Sequence, residues 1–374
     1  MTMDRMTQNT TPFGRIARPA LCAVALAALL MGVTAVAHAG SDGRKGTAGA
    51  SELLIPVGPR GSALGDAVVG DASGVEAAYY NPAGLAAGPA TEVAFSHTQY
   101  FGGMKLAYAA GAMNAGALGK LGLSAKVLSL GEVLVTTEAA PDGTGEILTP
   151  TFSVLGLTWA KSFTDRVNFG GTLTYVNENV ANTVANGVAF DFGVQYATGY
   201  HGLKFGMAVK NIGTQMRFSG PGLEIFTRDP SADPNAGNRG LSFSSAGFEM
   251  PSYFTVASSY DVHKNARQRL TVLAAYQNNN FNGDNLRGAA EWSYRDMFML
   301  RGSVFGTFQG TIDPITSEET FKLSSGDDLY AGYALGAGFQ ARMGDQGHVG
   351  IDVSWRPVRN YFDDILELGI KMSF

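Results

Sequence analysis

From Glu92 to the last residue, apolar and polar positions alternate with a period of two. Val188, Phe190, Phe192, Val194 and Tyr196 alternate with Ala189, Asp191, Gly193 and Gln195. Leu286, Gly288, Ala290, Trp292 and Tyr294 alternate with Arg287, Ala289, Glu291, Ser293 and Arg295, and Val349, Ile351, Val353 and Trp355 with His348, Gly350, Asp352 and Ser354. The final segment sets Leu366, Leu368, Ile370, Met372 and Phe374 against Glu367, Gly369, Lys371 and Ser373. Successive strand side chains point to opposite faces, so each segment carries one apolar face and one polar or small face. The pattern predicts fourteen strands: 91–99, 103–112, 119–131, 150–162, 166–178, 186–198, 202–213, 251–261, 268–277, 284–295, 297–308, 329–342, 347–357 and 363–374.

A soluble sandwich produces the same alternation, with its apolar faces buried together. Length separates the two architectures. Soluble strands usually run ~5–6 residues, whereas a tilted strand crossing a bilayer needs ~9–11. These segments are of the second kind. The connections agree. Those at 132–149, 214–250 and 309–328, the third, seventh and eleventh, are long; 163–165, 199–201, 296 and 343–346, the fourth, sixth, tenth and twelfth, are short. Outer-membrane barrels join their strands by short periplasmic turns and longer outward loops. The expected fold is therefore all-β: a transmembrane antiparallel β-barrel of about fourteen strands, with both ends of the barrel and the tightest turns on the periplasmic side. Aromatics near strand ends (Tyr100, Phe101, Phe163, Phe169, Tyr200, Tyr253, Phe254, Phe298, Tyr361 and Phe362) suit interfacial girdles.

The stretch Ser51–Thr91 breaks the pattern. Pro59-Arg60-Gly61 is a breaker, Ala63 to Val68 suits a helical turn, and Asn81-Pro82-Ala83-Gly84 is a turn signature. A solvated linker would not carry so many apolar residues together with Tyr79 and Tyr80. The segment needs a surface to bury against, and the nearest is a barrel lumen. We expect an N-terminal plug or hatch over 40–90, lying on the periplasmic side, with Asn81–Gly84 as the fixed turn leading it into the barrel at 91–374.

Ahead of it, Arg5, Arg15 and Arg18 precede the apolar run Ala20–Ala37, which closes on Ala37-His38-Ala39. That is the layout of a secretory signal peptide cleaved after residue 39. The alternative is an uncleaved inner-membrane anchor near the ~18-residue lower limit of a span. The expected location is thus the bacterial outer membrane.

Composition narrows the function. Charged residues make up 16% of the chain, against ~25% in ordinary soluble domains. Gly occurs 49 times in 374 residues, about twice its average share. A net charge of −5 gives nucleic acid no basic field. The one cysteine, Cys22, lies inside the leader. His97, His201, His263 and His348 are far apart, and no nucleotide-loop or nucleophile-elbow motif occurs in context. The run 229–235 lacks the acidic ligand set of a calcium loop. No enzyme, cofactor or metal site is expected.

The run LLIPVGPRGSALGDAVVGDASGVEAAYYNPAGLA resembles the N-terminal signature of the PorV/PorQ family, a branch of the FadL-like outer-membrane barrels. The similarity continues through Glu92–Phe101, Leu130–Glu146, Ser162–Val176, Ala189–Phe218 and Tyr294–Gly302. The terminal strand ending in Phe374 resembles the signal by which the barrel-assembly machinery recognises its clients. The resemblance implies a fourteen-stranded plugged barrel in outer-membrane lipid. It also implies a role in type IX secretion, accepting or shuttling cargo through contacts with the translocon and cargo C-terminal domains. The outward loops would then make the contacts, with Phe226 and Leu241–Phe243 as candidate residues. The wider FadL-like group implies a different role, passive entry of hydrophobic small molecules. Against that role, the inward faces look rich in Gly, Ser and charge, and no apolar lumen pocket is evident. A sealed structural barrel is a third reading.

Overall fold

The computed structural model describes residues 46–227, 239–312, 319–324, 330–344, 347–359 and 362–374. The leader at 1–39, the run 229–235, Asp327-Asp328 and Tyr361 lie outside the described residues.

Fourteen antiparallel strands form one ring among the described residues. They are β1 (Thr91–Gln99), β2 (Lys105–Asn114), β3 (Lys120–Ser129), β4 (Thr151–Ser162), β5 (Val167–Val180), β6 (Thr183–Ala197) and β7 (Lys204–Gly213) in the first half. The second half holds β8 (Tyr253–Lys264), β9 (Gln268–Asn279), β10 (Asp284–Tyr294), β11 (Phe298–Ile312), β12 (Tyr333–Met343), β13 (Gly347–Arg356) and β14 (Ile365–Ser373). Each strand pairs with its sequence neighbours, and β1 pairs with β14 from Glu92↔Ser373 to Gln99↔Leu366, closing the ring. Every wall backbone group in such a ring can find its partner in the neighbouring strand, which is the condition for crossing lipid with strands.

Burial decides the environment. Leu368 is 49% exposed while its neighbour Glu367 is 1% exposed. The same inversion holds on β6, where Phe190, Phe192, Val194 and Tyr196 face out and Asp191 and Gln195 are buried. A soluble sandwich would do the opposite. The apolar band is the lipid-facing surface and the polar face lines the lumen.

Three connections are long and carry structure of their own. Val133–Leu134 pairs with Ile147–Leu148, Glu224–Thr227 pairs with Arg239–Ser242, and Glu319–Ser324 extends the ladder of β11. All three are odd-numbered connections. The tightest connection, however, is also odd: β5 and β6 are joined by Ala181-Asn182 alone, with Ala181 at φ 51°. The expected assignment of the tightest turns to the even end is corrected there. The sequence reading missed it because β6 begins three residues earlier than its alternation suggests.

The segment before β1 fills the lumen with short helical pieces: Ser51–Leu54, Pro59–Ala63, Ala67–Gly70, Gly74–Glu76, Ala77–Tyr80 and Pro82–Ala87. Glycine, proline and a left-handed Asp66 (φ 64°) end each piece after about one turn. Pro59 and Pro82 each open a turn, where a missing N–H costs nothing. The wall makes room for this chain. At Gly206 on β7 a Cβ would run into the Val69 carbonyl and lie 2.7 Å from Gly70 Cα. At Gly170 on β5 it would strike the Pro82 carbonyl carbon.

The segment is not confined to the periplasmic end, as its position before β1 suggested. Ala48 bridges Glu249 in the seventh connection, and the Ala50 N–H donates to Glu178 near the end of β5, both at the odd end. Its far end, at Gly88 and Pro89, accepts from Lys120 at the even end, where β1 begins. It threads the barrel from one mouth to the other.

Candidate site: two chambers divided by an ion-paired plug

Charged side chains from the wall hold the middle of the plug. The Arg60 guanidinium, in the helical turn Pro59–Ala63, donates through Nε to Glu291 Oε2 (3.0 Å) and through Nη2 to Glu291 Oε1 (3.2 Å) and Asp71 Oδ2 (2.8 Å). Glu291 also accepts from Arg301 Nε at 2.7 Å, and Arg301 pairs in turn with Asp352. Lys204 Nζ lies 2.6 Å from Asp71 Oδ1. Burial alone would raise the Asp71 carboxyl, but Arg60 and Lys204 outweigh it and hold it below its ordinary range. On the β14 side, Glu367 accepts from the Gly58 N–H (2.7 Å) and the Ser62 hydroxyl (2.6 Å). Arg356 reaches the Ser62 carbonyl (3.0 Å) and Asp66 (3.3 Å). Four wall strands, β10, β11, β13 and β14, thus clamp one short helix.

Below this clamp, at the even end, lies a chamber of about 350 Å³. Its walls include Arg60, Asp71, Glu76, Glu291, Arg301 and Asp352. Above it, at the odd end, is a cavity of about 480 Å³ with a different lining. Six aromatic rings surround it: Tyr79 and Tyr80 from the plug, Tyr100 from the first connection, Tyr253 on β8, Phe305 on β11, and Tyr330. The Tyr100 and Tyr330 hydroxyls are 2.5 Å apart. The Arg356 guanidinium sits over Phe305 and Tyr330, 5.2 and 5.5 Å from the ring centroids. Gln277, Asn279, Asn285 and Arg287 add a polar side. Arg287 Nη1 donates to Gln277 Oε1 at 2.6 Å.

A third group sits beside the plug's first turn. Lys126 Nζ on β3 donates to the Glu52 and Ile55 carbonyls at 2.7 and 3.0 Å and lies 4.8 Å from the Tyr79 ring centroid. Burial, and then the neighbouring Glu178 carboxylate, push the Glu52 carboxyl up to about 7.

Asn81, Pro82, Ala83 and Gly84 are all buried. Asn81 Oδ1 accepts from the Ala83 N–H (3.2 Å), capping the turn Pro82–Ala87, and Asn81 Nδ2 donates to the Val69 carbonyl (2.8 Å) and the Val194 carbonyl of the wall (3.1 Å). This tetrapeptide fastens the plug to β6 and lines neither chamber. Phe374 faces outward, its backbone paired with Thr91 at the seam between β1 and β14. Phe226 and Phe243, 71% and 60% exposed, lie on or beside the hairpin of the seventh connection and do not line the cavity. Among the described residues no three His, Cys, Asp or Glu side chains could hold a metal ion.

Two expectations need correction. Tyr100 and Tyr253, assigned to a lipid-facing girdle, line the lumen cavity; Tyr100 is only 8% exposed. Phe163, Tyr200, Phe298 and Phe362 do face outward. The lumen also holds an aromatic pocket, which the polar inward faces of the strands concealed. Five of its rings come from the plug, from a strand end and from connections, where alternation carries no information; Phe305 alone sits in mid-strand, on β11. The adjacent Tyr79 and Tyr80, already conspicuous in a supposed linker, were the available signal.

These features define a plugged transmembrane β-barrel of fourteen strands. Among solved structures the chain is similar to the CymD monoaromatic hydrocarbon channel, at 11% identity and a TM-score of 0.52 over 86% of this chain and 98% of that one. It is similar also to the Pseudomonas putida toluene transporter TodX, at 11% identity and a TM-score of 0.51 over 85% and 97%. A Pseudomonas aeruginosa FadL homologue aligns at 12% identity and a TM-score of 0.47 over 85% and 98%. At such identities the likeness of the first two establishes the fold. No protein-family model and no curated protein matches the sequence.

Proposed function

We propose that the chain is an outer-membrane channel for passive entry of small, partly apolar molecules, with its odd-numbered connections facing outward. The observation that carries this reading is the ring-walled cavity of about 480 Å³ at the odd end. Its size falls in the ~300–1,000 Å³ range of small-molecule sites, and its six aromatic rings supply apolar surface, although its polar side, with Gln277, Asn279, Asn285, Arg287 and Arg356 among others, is larger than in most such sites. The plug forms its floor. Entry into the charged chamber below requires the plug to shift, and the Arg60 clamp is the contact set that must loosen. The named activities of the two structural neighbours, hydrocarbon and toluene passage, support the reading. The test is uptake of labelled small aromatic compounds by bacterial cells with and without the chain in their outer membrane. Expression should speed uptake; equal rates would refute the proposal.

A second reading, acceptance of secreted cargo, draws on the PorV-like sequence run and on the hairpin Glu224–Thr227/Arg239–Ser242, which presents Ile225, Phe226 and Leu241 to solvent with Phe243 just beyond. Removing residues 224–243 discriminates the two. Cargo acceptance would be lost while small-molecule entry stays intact. This reading also requires a type IX translocon in the same genome.

A further inference from the structure

The cavity has a charge imbalance that selects among small molecules. Among the described residues two guanidinium groups line it, Arg287 and Arg356, and one carboxylate, Asp66. Asp66 is taken by Arg356, at 3.3 Å. Arg287 has no carboxylate partner among the described residues. The acid closest to it in sequence, Asp284, lies on the opposite face of β10, where it accepts from Tyr276 Oη (2.6 Å) and Asn278 Nδ2 (2.9 Å). The next, Glu291, is committed to Arg60 and Arg301. Among the described residues the hydrogen bond of the Arg287 head group is from Nη1 to Gln277, which orients the guanidinium and leaves its other N–H donors facing the cavity. A half-buried cation facing a cavity without a counter-ion is costly unless an anion joins it.

The rest of the lining describes the remainder of that anion. Five tyrosines and a phenylalanine present ring faces and edges, and rings packed edge-to-face or offset are the geometry aromatic groups favour. Tyr79 and Tyr80 already meet each other edge-on, with centroids 4.9 Å apart. A flexible alkyl chain would gain less from these polar-edged walls and lose more freedom on binding. A planar guanidinium donates in parallel to the two oxygens of a carboxylate.

Building on the uptake reading, we infer that the cavity takes aromatic carboxylates, the acid group on Arg287 and the ring among Tyr79, Tyr253 and Tyr330. Selection for a charged ring sets it apart from a channel for neutral hydrocarbons. Asn279 and Asn285, both lining the cavity beside Arg287, make up the amide side of the acid's pocket.

The test uses the full chain, purified in detergent and shown to be folded by heat-modifiable gel migration. Binding is measured for 2-naphthoate, neutral 2-methylnaphthalene and the aliphatic acid decanoate, with wild type, Arg287→Gln and Arg287→Lys. The expected result is that naphthoate binds at least tenfold tighter than the other two. Arg287→Gln should weaken naphthoate tenfold or more and move methylnaphthalene by less than twofold, with Arg287→Lys in between. If methylnaphthalene binds as well as naphthoate, or Arg287→Gln leaves naphthoate unchanged, the charge selection is wrong and the uptake reading stands. If decanoate matches naphthoate, the ring selection is wrong. If none of the three binds the folded protein, both the inference and the uptake reading fall.

Discussion

Arg60→Ala is the sharpest perturbation of the plug. It removes three charge-assisted hydrogen bonds, two to Glu291 and one to Asp71. Each such bond contributes about 1.5–3 kcal/mol net. They share one head group and do not add in full. Nor does the change leave a bare buried carboxylate, because Glu291 keeps Arg301 and Asp71 keeps Lys204. The loss therefore falls below the full sum, at about 3 kcal/mol. Local opening of the plug would then be roughly a hundredfold more populated. Hydrogen exchange reads this directly. The amides of Ser62, Leu64 and Asp66 donate to Gly58, Arg60 and Gly61 within the clamped turn. They should exchange about a hundred times faster in the variant, while amides of β9 and β14 keep their wild-type rates. Unchanged exchange at 62–66, or equal acceleration in plug and wall, would refute the idea that this clamp holds the plug independently of the barrel.

Further outcomes follow from other parts of the molecule. The folded state holds a proton on Glu52 up to about 7, whereas an ordinary carboxyl releases it at 4.5. Folded protein thus binds more protons than unfolded between those values, and this carboxyl's contribution to stability falls as pH rises through that window. Thermal melts of Glu52→Gln between pH 4 and 8 should show a shallower decline than wild type, and a variant curve as steep as the wild-type one would contradict it. Gly206→Val drives a side chain into the Val69–Gly70 backbone. It should leave the plug unseated and open to protease in an otherwise assembled barrel; a protected plug would show the close approach to be unimportant. Leu368→Arg places a cation on the lipid face in the middle of β14. It should cost ~2–4 kcal/mol in a bilayer folding assay, and a neutral result would mean that this face is not in lipid.

The wall was legible in the sequence because its rule is local. Where residues alternate strictly, as in Val188–Tyr196 and Leu366–Phe374, position alone assigns each side chain to lipid or lumen. Strand ends were less visible. The alternation starts β2 two residues early, at 103, because Tyr100 to Met104 continues an extended look that a left-handed Gly102 (φ 67°) interrupts. The need of Ser51–Thr91 for a lumen could be read from its apolar content. Its path could not, because the contacts that fix it join residues hundreds of positions apart: Gly58 to Glu367, Arg60 to Glu291, Ala63 to Ser303. The cavity was hidden for the same reason. Arg287 and Arg356 look alike in sequence, each an inward charge on an alternating strand. Only the folded molecule shows that Arg356 has a carboxylate partner in the cavity and that Arg287 has none among the described residues.

The account rests on small molecules passing through the tyrosine-lined cavity, and a variant that fills it tests this most directly. Thr255 is buried and lines the cavity. Uptake of labelled 2-naphthoate and 2-methylnaphthalene should be compared in cells carrying wild type, Thr255→Trp, or no such chain, with equal amounts of heat-modifiable barrel in the membrane. The account predicts that wild type speeds entry of at least one compound and that Thr255→Trp returns it to the level of cells without the chain. Uptake that is unchanged when the cavity is filled would contradict it.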